Sequence, residues 1–225
     1  MFILLAVALA ALAQGLGGFG YALSWPALSA ALVGAGYLGI GSKVFGKRGD
    51  GSLPIATRVL FAPYRGLAWL IWQGLRRTRV RPYDLVSPGL YLARRLYARE
   101  LPADVELIVD LTAEFAAPSG ITNGRNYRAL PSLDAHVPDA SRFEELVDEV
   151  ARSTAVTLVH CVAGHGRSAA FVAAVLIRRG AAADFEDAER LIKLVRPSIH
   201  IRQIQRALVM RIVKTHPGNT PTPAS

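Results

Sequence analysis

The single cysteine of this 225-residue chain stands in a run whose residue types suit phosphoryl chemistry, His160-Cys161-Val162-Ala163-Gly164-His165-Gly166-Arg167-Ser168. Backbone N–H groups of a tight glycine-containing loop can point at an anion, and a helix starting at its end adds the positive pole of its dipole. Arg167 supplies a planar fork that matches two phosphoryl oxygens, which lysine cannot do. The same positive field favours the thiolate of Cys161. A thiolate held beneath a bound phosphoryl group is a nucleophile placed for in-line attack. Val162, Ala163, Gly164, His165 and Gly166, together with Arg167, are the expected phosphate cradle.

Such a cradle needs a strand running into it and a helix leaving it. Thr154–His160 is short, apolar and β-branched, as a buried parallel strand is, and Ser168–Arg179 reads as a helix stopped by Gly180. Val105–Asp110 reads as a second buried strand, with Asp110 anchoring the turn after it. A loop from Ala116 to Asn126 carries the turn signal Asn123-Gly124. Ser141-Arg-Phe-Glu144 has the form of a capping box opening a helix to about Arg152. Asp184 can cap a helix that Pro197 stops, and a last helix is expected from about Arg202 to Lys214.

The run His160–Ser168 matches the HCxxGxxR[ST] signature, and by it the chain resembles the cysteine-dependent protein tyrosine phosphatase superfamily. The resemblance covers roughly residues 84–210 and is strongest to the dual-specificity branch. Ser87–Leu92 resembles that branch's opening strand, and Val109–Glu114 its second strand and turn. Arg196-Pro-Ser-Ile-His-Ile201 is similar to the phospholipid-directed members, those acting on phosphatidylglycerophosphate among them. The resemblance implies that Cys161 forms a cysteinyl-phosphate, Arg167 stabilises the transition state, Ser168 helps the thiolate leave, and His160 orients the loop.

A general acid must protonate the leaving oxygen and then activate water. The family carries an aspartate on a loop upstream of the signature, where Leu130-Pro-Ser-Leu-Asp134 fits, so Asp134 is the candidate. Asp139 competes, although a charge just before the Ser141 helix is favourable for the helix itself. His165 either faces substrate, where a cation would favour an acidic headgroup, or is a solvated histidine. Gln203 and Gln205 suit either water positioning or a solvent-facing helix. No His/Cys cluster has metal-ligand spacing, so neither metal nor other cofactor is expected.

One cysteine excludes an intrachain disulfide framework. The net charge of +9 would suggest nucleic acid, but 52% of the residues are hydrophobic, and the two properties are segregated. Residues 1–42 carry no charged side chain. Residues 43–100 hold twelve basic side chains against three acidic ones, and residues 101–225 balance at fourteen of each. The basic block therefore reads as membrane adhesion and orientation rather than nucleic-acid binding.

The uncharged stretch predicts a transmembrane helical hairpin over 1–46, broken near Gly15–Gly18, with Ser24 and Pro26 opening the second helix. A basic juxtamembrane segment with an interfacial helix follows over 47–81, where Tyr64, Trp69 and Trp72 stand beside Arg76 and Arg77; a helix packed on the catalytic domain is the alternative. A catalytic domain spans 82–215 and a disordered tail 216–225. The expected fold is α/β, a dual-specificity-phosphatase-like central sheet flanked by helices, preceded by two transmembrane helices. The positive-inside rule puts the catalytic domain in the cytoplasm, and the arginine- and alanine-rich composition suggests a bacterial inner membrane.

The expected function is that of a membrane-anchored phosphatase for phosphotyrosine, phosphoserine and phosphothreonine. A phospholipid phosphatase acting on phosphatidylglycerophosphate or phosphoinositides is the alternative. A catalytically inactive phosphate-binding membrane module is the alternative of another class.

Overall fold

The computed structural model describes residues 1–78 and 81–215. Five strands form one mixed sheet: β1 (Tyr83–Ser87), β2 (Leu90–Ala93), β3 (Leu107–Thr112), β4 (Asn126–Ser132) and β5 (Thr157–His160), in the order β1-β2-β5-β3-β4. β1 and β2 pair antiparallel as a hairpin, and every other pairing is parallel. β3 and β5 lie at the centre and are buried along their whole length, which suits their apolar runs Leu107–Val109 and Leu158–Val159 and leaves Asp110 and His160 as buried polar groups. β4 contains Pro131 and is an edge strand, where a missing donor is tolerated.

Of the helices that follow, α6 (Arg167–Arg178) is the central one, buried from Arg167 to Ile177. It packs on β2 and β5 and is surrounded by α5 (Ala140–Arg152), α7 (Phe185–Val195) and α8 (Gln203–Thr215). Phe143, Phe171, Val147, Leu90 and Val159 are among the core side chains there. Three local expectations change. β3 runs over Leu107–Thr112 rather than Val105–Asp110, so Asp110 lies inside the strand. β5 begins at Thr157 rather than Thr154. The cap of α5 is Asp139, whose carboxylate accepts the Arg142 amide at 3.0 Å, so Ser141 sits inside the first turn and forms no capping box.

The N-terminal region starts with α1 (Phe2–Leu16) and α2 (Ser24–Ala35), which pack against each other; Gly34 lies so close to α1 that a Cβ would stand 2.4 Å from the Ile3 side chain. Among the described residues one helical stretch, Gly18–Phe45, is long and apolar enough to cross a membrane. This corrects the two-span expectation. Gly17 and Gly18, at φ 55° and 44°, end α1 after 15 residues, or about 22 Å at 1.5 Å per residue, short of a hydrocarbon core of about 30 Å.

α3 (Ile55–Leu60) and α4 (Ala62–Arg76) come next. α4 packs on the sheet domain as well as presenting apolar residues outward. Trp72 is fully buried and donates its indole N–H to the Arg95 carbonyl at 3.1 Å. Arg76 is committed to Glu100 through two bonds of 3.2 and 3.1 Å rather than to solvent. A second core joins Val33, Phe45, Leu53 and Phe61 to Ala113 and Leu133 of the sheet domain. The tail read as disordered, 216–225, lies outside the described residues.

Candidate active site

β5 delivers His160 into the interior, Cys161 opens a loop, and α6 begins at Arg167, so strand, loop and helix follow as the sequence requires. Cys161 Sγ accepts the Gly164 amide at 3.2 Å and lies 3.2 Å from Ser168 Oγ. Gly164 adopts φ +73°, and a Cβ there would stand 2.7 Å from the backbone of Ala93 and Arg94, so no other residue fits.

The loop's carbonyls are engaged from outside. The Val162 carbonyl accepts the Arg95 amide at 3.1 Å, and that of His165 accepts the His200 amide at 2.9 Å. Arg196 donates to the carbonyls of Ala163 and Gly164 at 3.3 and 2.9 Å. With these carbonyls turned away and the Gly164 amide on Cys161 Sγ, the loop is arranged to present amides to an anion. Arg196 is itself buried and held by Asp84 at 2.7 Å.

The Arg167 fork meets Glu114 through paired bonds of 3.1 and 3.0 Å, and it also donates to the Ser132 carbonyl at 2.7 Å. Burial disfavours its charge, but Glu114 and then Cys161 outweigh that and hold the guanidinium well above the ordinary arginine range. Glu114 is equally buried, and the Arg167 charge keeps its carboxyl below the usual carboxylate range. Both groups are thus ionised and fixed before any ligand arrives.

Asp134 follows β4 on a turn where Ala135 takes φ 56°, unusual for a residue with a side chain. Its side chain is 76% exposed, with Oδ1 3.7 Å from Arg167 Nε. It lines the same cleft of about 320 Å³ as Cys161, His165, Gly166, Arg167 and Gln205. Asp139 caps α5 and lies outside that cleft.

His160 is fully buried, 3.8 Å from Asp110, and neither ring nitrogen has a hydrogen-bond partner among the described residues. Burial lowers its pKa, and the Asp110 charge only partly opposes this. His165 is half-buried with Nε2 3.2 Å from Ser198 Oγ. Burial, then the Arg196 charge, pushes it below the ordinary histidine value, which weakens its case as a cation for substrate. The two glutamines separate. Gln203 is exposed, whereas Gln205 is buried with its amide donating to the His136 carbonyl at 3.2 Å.

Sequence reasoning left Glu114, Arg196 and the α4 wall without a role. α4 sends Tyr64, Ala68, Ile71 and Leu75, four positions on one helical face, along the cleft opposite Cys161. A helical period of apolar residues over 64–75 was the available signal for that wall.

The family model described as Swiss Army Knife protein, DSP-PTPase phosphatase domain (PTP-SAK) matches residues 93–219. The chain belongs to this family. It is a phosphoric monoester hydrolase of the dual-specificity and tyrosine phosphatase type.

Solved structures share the PTP-SAK domain's fold. PTPMT1 in complex with PI(5)P aligns at a TM-score of 0.52 and 22% identity, over 60% of this chain and 96% of that one. Human tyrosine phosphatase-like serine/threonine/tyrosine-interacting protein aligns at 0.53 and 23%, over 60% and 97%. Tk-PTP in the active form aligns at 0.53 and 20%, over 60% and 98%. No curated protein matches the chain. The matched PTP-SAK region begins at Ala93, so α4 and everything before it lie outside that match.

Proposed function

We propose that this PTP-SAK protein is a membrane-anchored phosphatase that works through a cysteinyl-phosphate and takes a phosphorylated lipid headgroup at the bilayer surface. In the first step the Cys161 thiolate attacks phosphorus, the bond to the leaving oxygen breaks, and Asp134 gives that oxygen its proton. Arg167 and the amides of residues 162–166 hold the equatorial oxygens, where charge develops. In the second step water attacks phosphorus, Asp134 takes its proton, and sulfur leaves as thiolate with a hydrogen bond from Ser168. His160, buried behind Cys161, fixes the start of the loop, and Gln205 is suited to orient the water. Asp139 is assigned to the helix cap alone.

The observation that carries the lipid reading is the composition of α4. Its cleft-facing side offers Ala68, Ile71 and Leu75 to whatever bears the phosphate, and its outward side continues with exposed Leu67 and Leu70. An apolar wall that runs from the nucleophile to an uncovered apolar surface suits a substrate with one end in water and the other in lipid. The candidate span ends at Phe45, inside the second core beside that cleft, which would hold the site at the membrane. The basic block orients it toward the cytoplasm. PTPMT1 in its complex with PI(5)P offers a related fold with a lipid headgroup.

Purified full-length protein in mixed micelles, given phosphatidylglycerophosphate, phosphoinositides and phosphopeptides in parallel, tests this. Lipid phosphate release at least about tenfold more efficient than peptide dephosphorylation is expected. Efficient peptide turnover with no lipid turnover would replace the reading with a phosphoprotein phosphatase. Turnover retained in Cys161→Ser would overturn the mechanism.

A further inference from the structure

A cleft of about 810 Å³ lies on the other side of α4 from Cys161. α4 contributes Ala62, Arg65, Gly66, Trp69 and Trp72, and the opposite wall comes from Arg95–Arg99 and from Phe115–Ser119. Three arginines, Arg65, Arg95 and Arg99, line it, and no acidic side chain does among the described residues. None of the three has a carboxylate partner among the described ion pairs, and the Arg58 and Arg95 charges both bear on Arg65.

The nearby acids are already engaged. Glu100 takes Arg76 and Arg94, and Glu114 takes Arg167. Arg95 is sandwiched between Trp72 and Phe115, 4.9 Å from each ring, and spends one N–H on the Ala116 carbonyl at 3.0 Å. Arg99 lies 5.2 Å over Tyr97. Burial lowers the pKa of both Arg65 and Arg95, with the Asp110 and Glu114 charges partly opposing this at Arg95, and Arg65 also donates to the carbonyls of Glu114 and Arg58 at 3.1 and 3.3 Å.

We infer that this cleft is a second, non-catalytic site for a phosphate-bearing anion, and that its occupant is the headgroup of an anionic membrane phospholipid. Guanidinium forks fixed on aromatic faces are preorganised for phosphate oxygens, so little side-chain entropy is lost on binding. The lipid source follows from α4, whose outward Leu67 and Leu70 and rim Trp69 are exposed and uncharged next to the arginines. Charged forks beside an apolar helix face form the pattern that meets headgroup and acyl chain together. The site also touches the catalytic loop, since the Arg95 amide holds the Val162 carbonyl. The inference does not depend on which substrate the phosphatase uses.

The test uses full-length protein carrying Cys161→Ser in neutral detergent micelles, titrated separately with inorganic phosphate and with dihexanoyl phosphatidylglycerol, a soluble anionic lipid. Tryptophan fluorescence reads the site, because two of the three tryptophans line it. A saturable change with the lipid is expected at concentrations at least about tenfold below phosphate, and weakened about tenfold by loss of one charged hydrogen-bond donor in Arg99→Gln. Arg95→Gln should weaken it more, and Arg99, being exposed, keeps the test valid if that variant does not fold. Zwitterionic dihexanoyl phosphatidylcholine should give no such change. Equal response to both lipids, or an unchanged response in Arg99→Gln, would overturn the site. Saturation by phosphate with no preference for the lipid would overturn the lipid source.

Discussion

The Lys47 ammonium lies 2.5 Å from Asp110 Oδ2 with neither side chain exposed, and so pins the segment after the candidate span to the strand behind the catalytic loop. Lys47 also donates to the Thr112 carbonyl and hydroxyl at 2.8 and 3.0 Å. Asp110 in turn accepts the Thr112 amide at 2.7 Å and the Tyr127 hydroxyl. Burial opposes ionisation of Asp110, but the Lys47 charge and the hydrogen bonds from Lys47 and Thr112 hold its carboxyl well below the usual range. The N-terminal region and the phosphatase domain therefore share a buried polar centre as well as an apolar one.

Removing Lys47 leaves that carboxylate buried and uncompensated, which costs about 3–5 kcal/mol. Lys47→Met is expected to lower the thermal midpoint of the detergent-solubilised full chain by several degrees or more. A solvated juxtamembrane lysine would change stability by no more than about 0.5 kcal/mol, so an unchanged midpoint would remove Lys47 from the fold.

Asp134 and Asp139 are five residues apart in sequence and have different surroundings, which makes them separable. Asp134→Ala is expected to slow hydrolysis of substrates with poor leaving groups by about 10²–10⁴, and to matter far less for an activated aryl phosphate. Asp139→Ala is expected to cost about 1 kcal/mol of stability through the lost cap, with kcat unchanged. The reverse pattern would transfer the general-acid role to Asp139.

The geometry of the His160–Ser168 loop was legible because its residues are contiguous: nine adjacent positions carry the thiol, the glycines and the fork. The strand before it and the helix after it were legible from apolar runs and Gly180. Glu114 was not, because its partner Arg167 is 53 residues away and nothing local marks a carboxylate as the clamp on that fork. Lys47 stood in a basic block whose excess charge suggested lipid, and only tertiary packing singles it out. The Trp and Arg content of α4 left two placements open, in the headgroup layer or packed on the catalytic domain. Its Trp72 face packs on the protein, while Leu67 and Leu70 form an exposed apolar outer face.

Glu114 prepositions the Arg167 fork, so its effect is expected in the chemical step. Glu114→Gln keeps the shape but removes the charge and one matched acceptor. A fall in kcat of about tenfold to a hundredfold is expected, from the loss of one charge-assisted bond worth about 1.5–3 kcal/mol. Glu114→Asp, which retains the carboxylate, should recover part of it. A rise in KM with kcat intact would instead make Glu114 a binding residue only.

Acid sensitivity separates the buried histidine from the buried carboxylates. The folded pKa of His160 lies below its unfolded value of about 6.5. The unfolded chain then binds the proton first, so His160's contribution is fully present above about pH 6.5 and is lost as pH falls from there toward the folded pKa. Asp110 and Glu114 have depressed folded values, so their contributions persist above about pH 4 and fade only as pH falls through the folded pKa. Thermal midpoints between pH 7.5 and 5 should therefore decline before any carboxylate titrates. His165 shifts in the same direction and shares this window. His165→Asn should flatten the decline partly, and His160→Asn in that background should remove most of what remains. A decline of the same size in the double variant would show that buried neutral histidine is not its source.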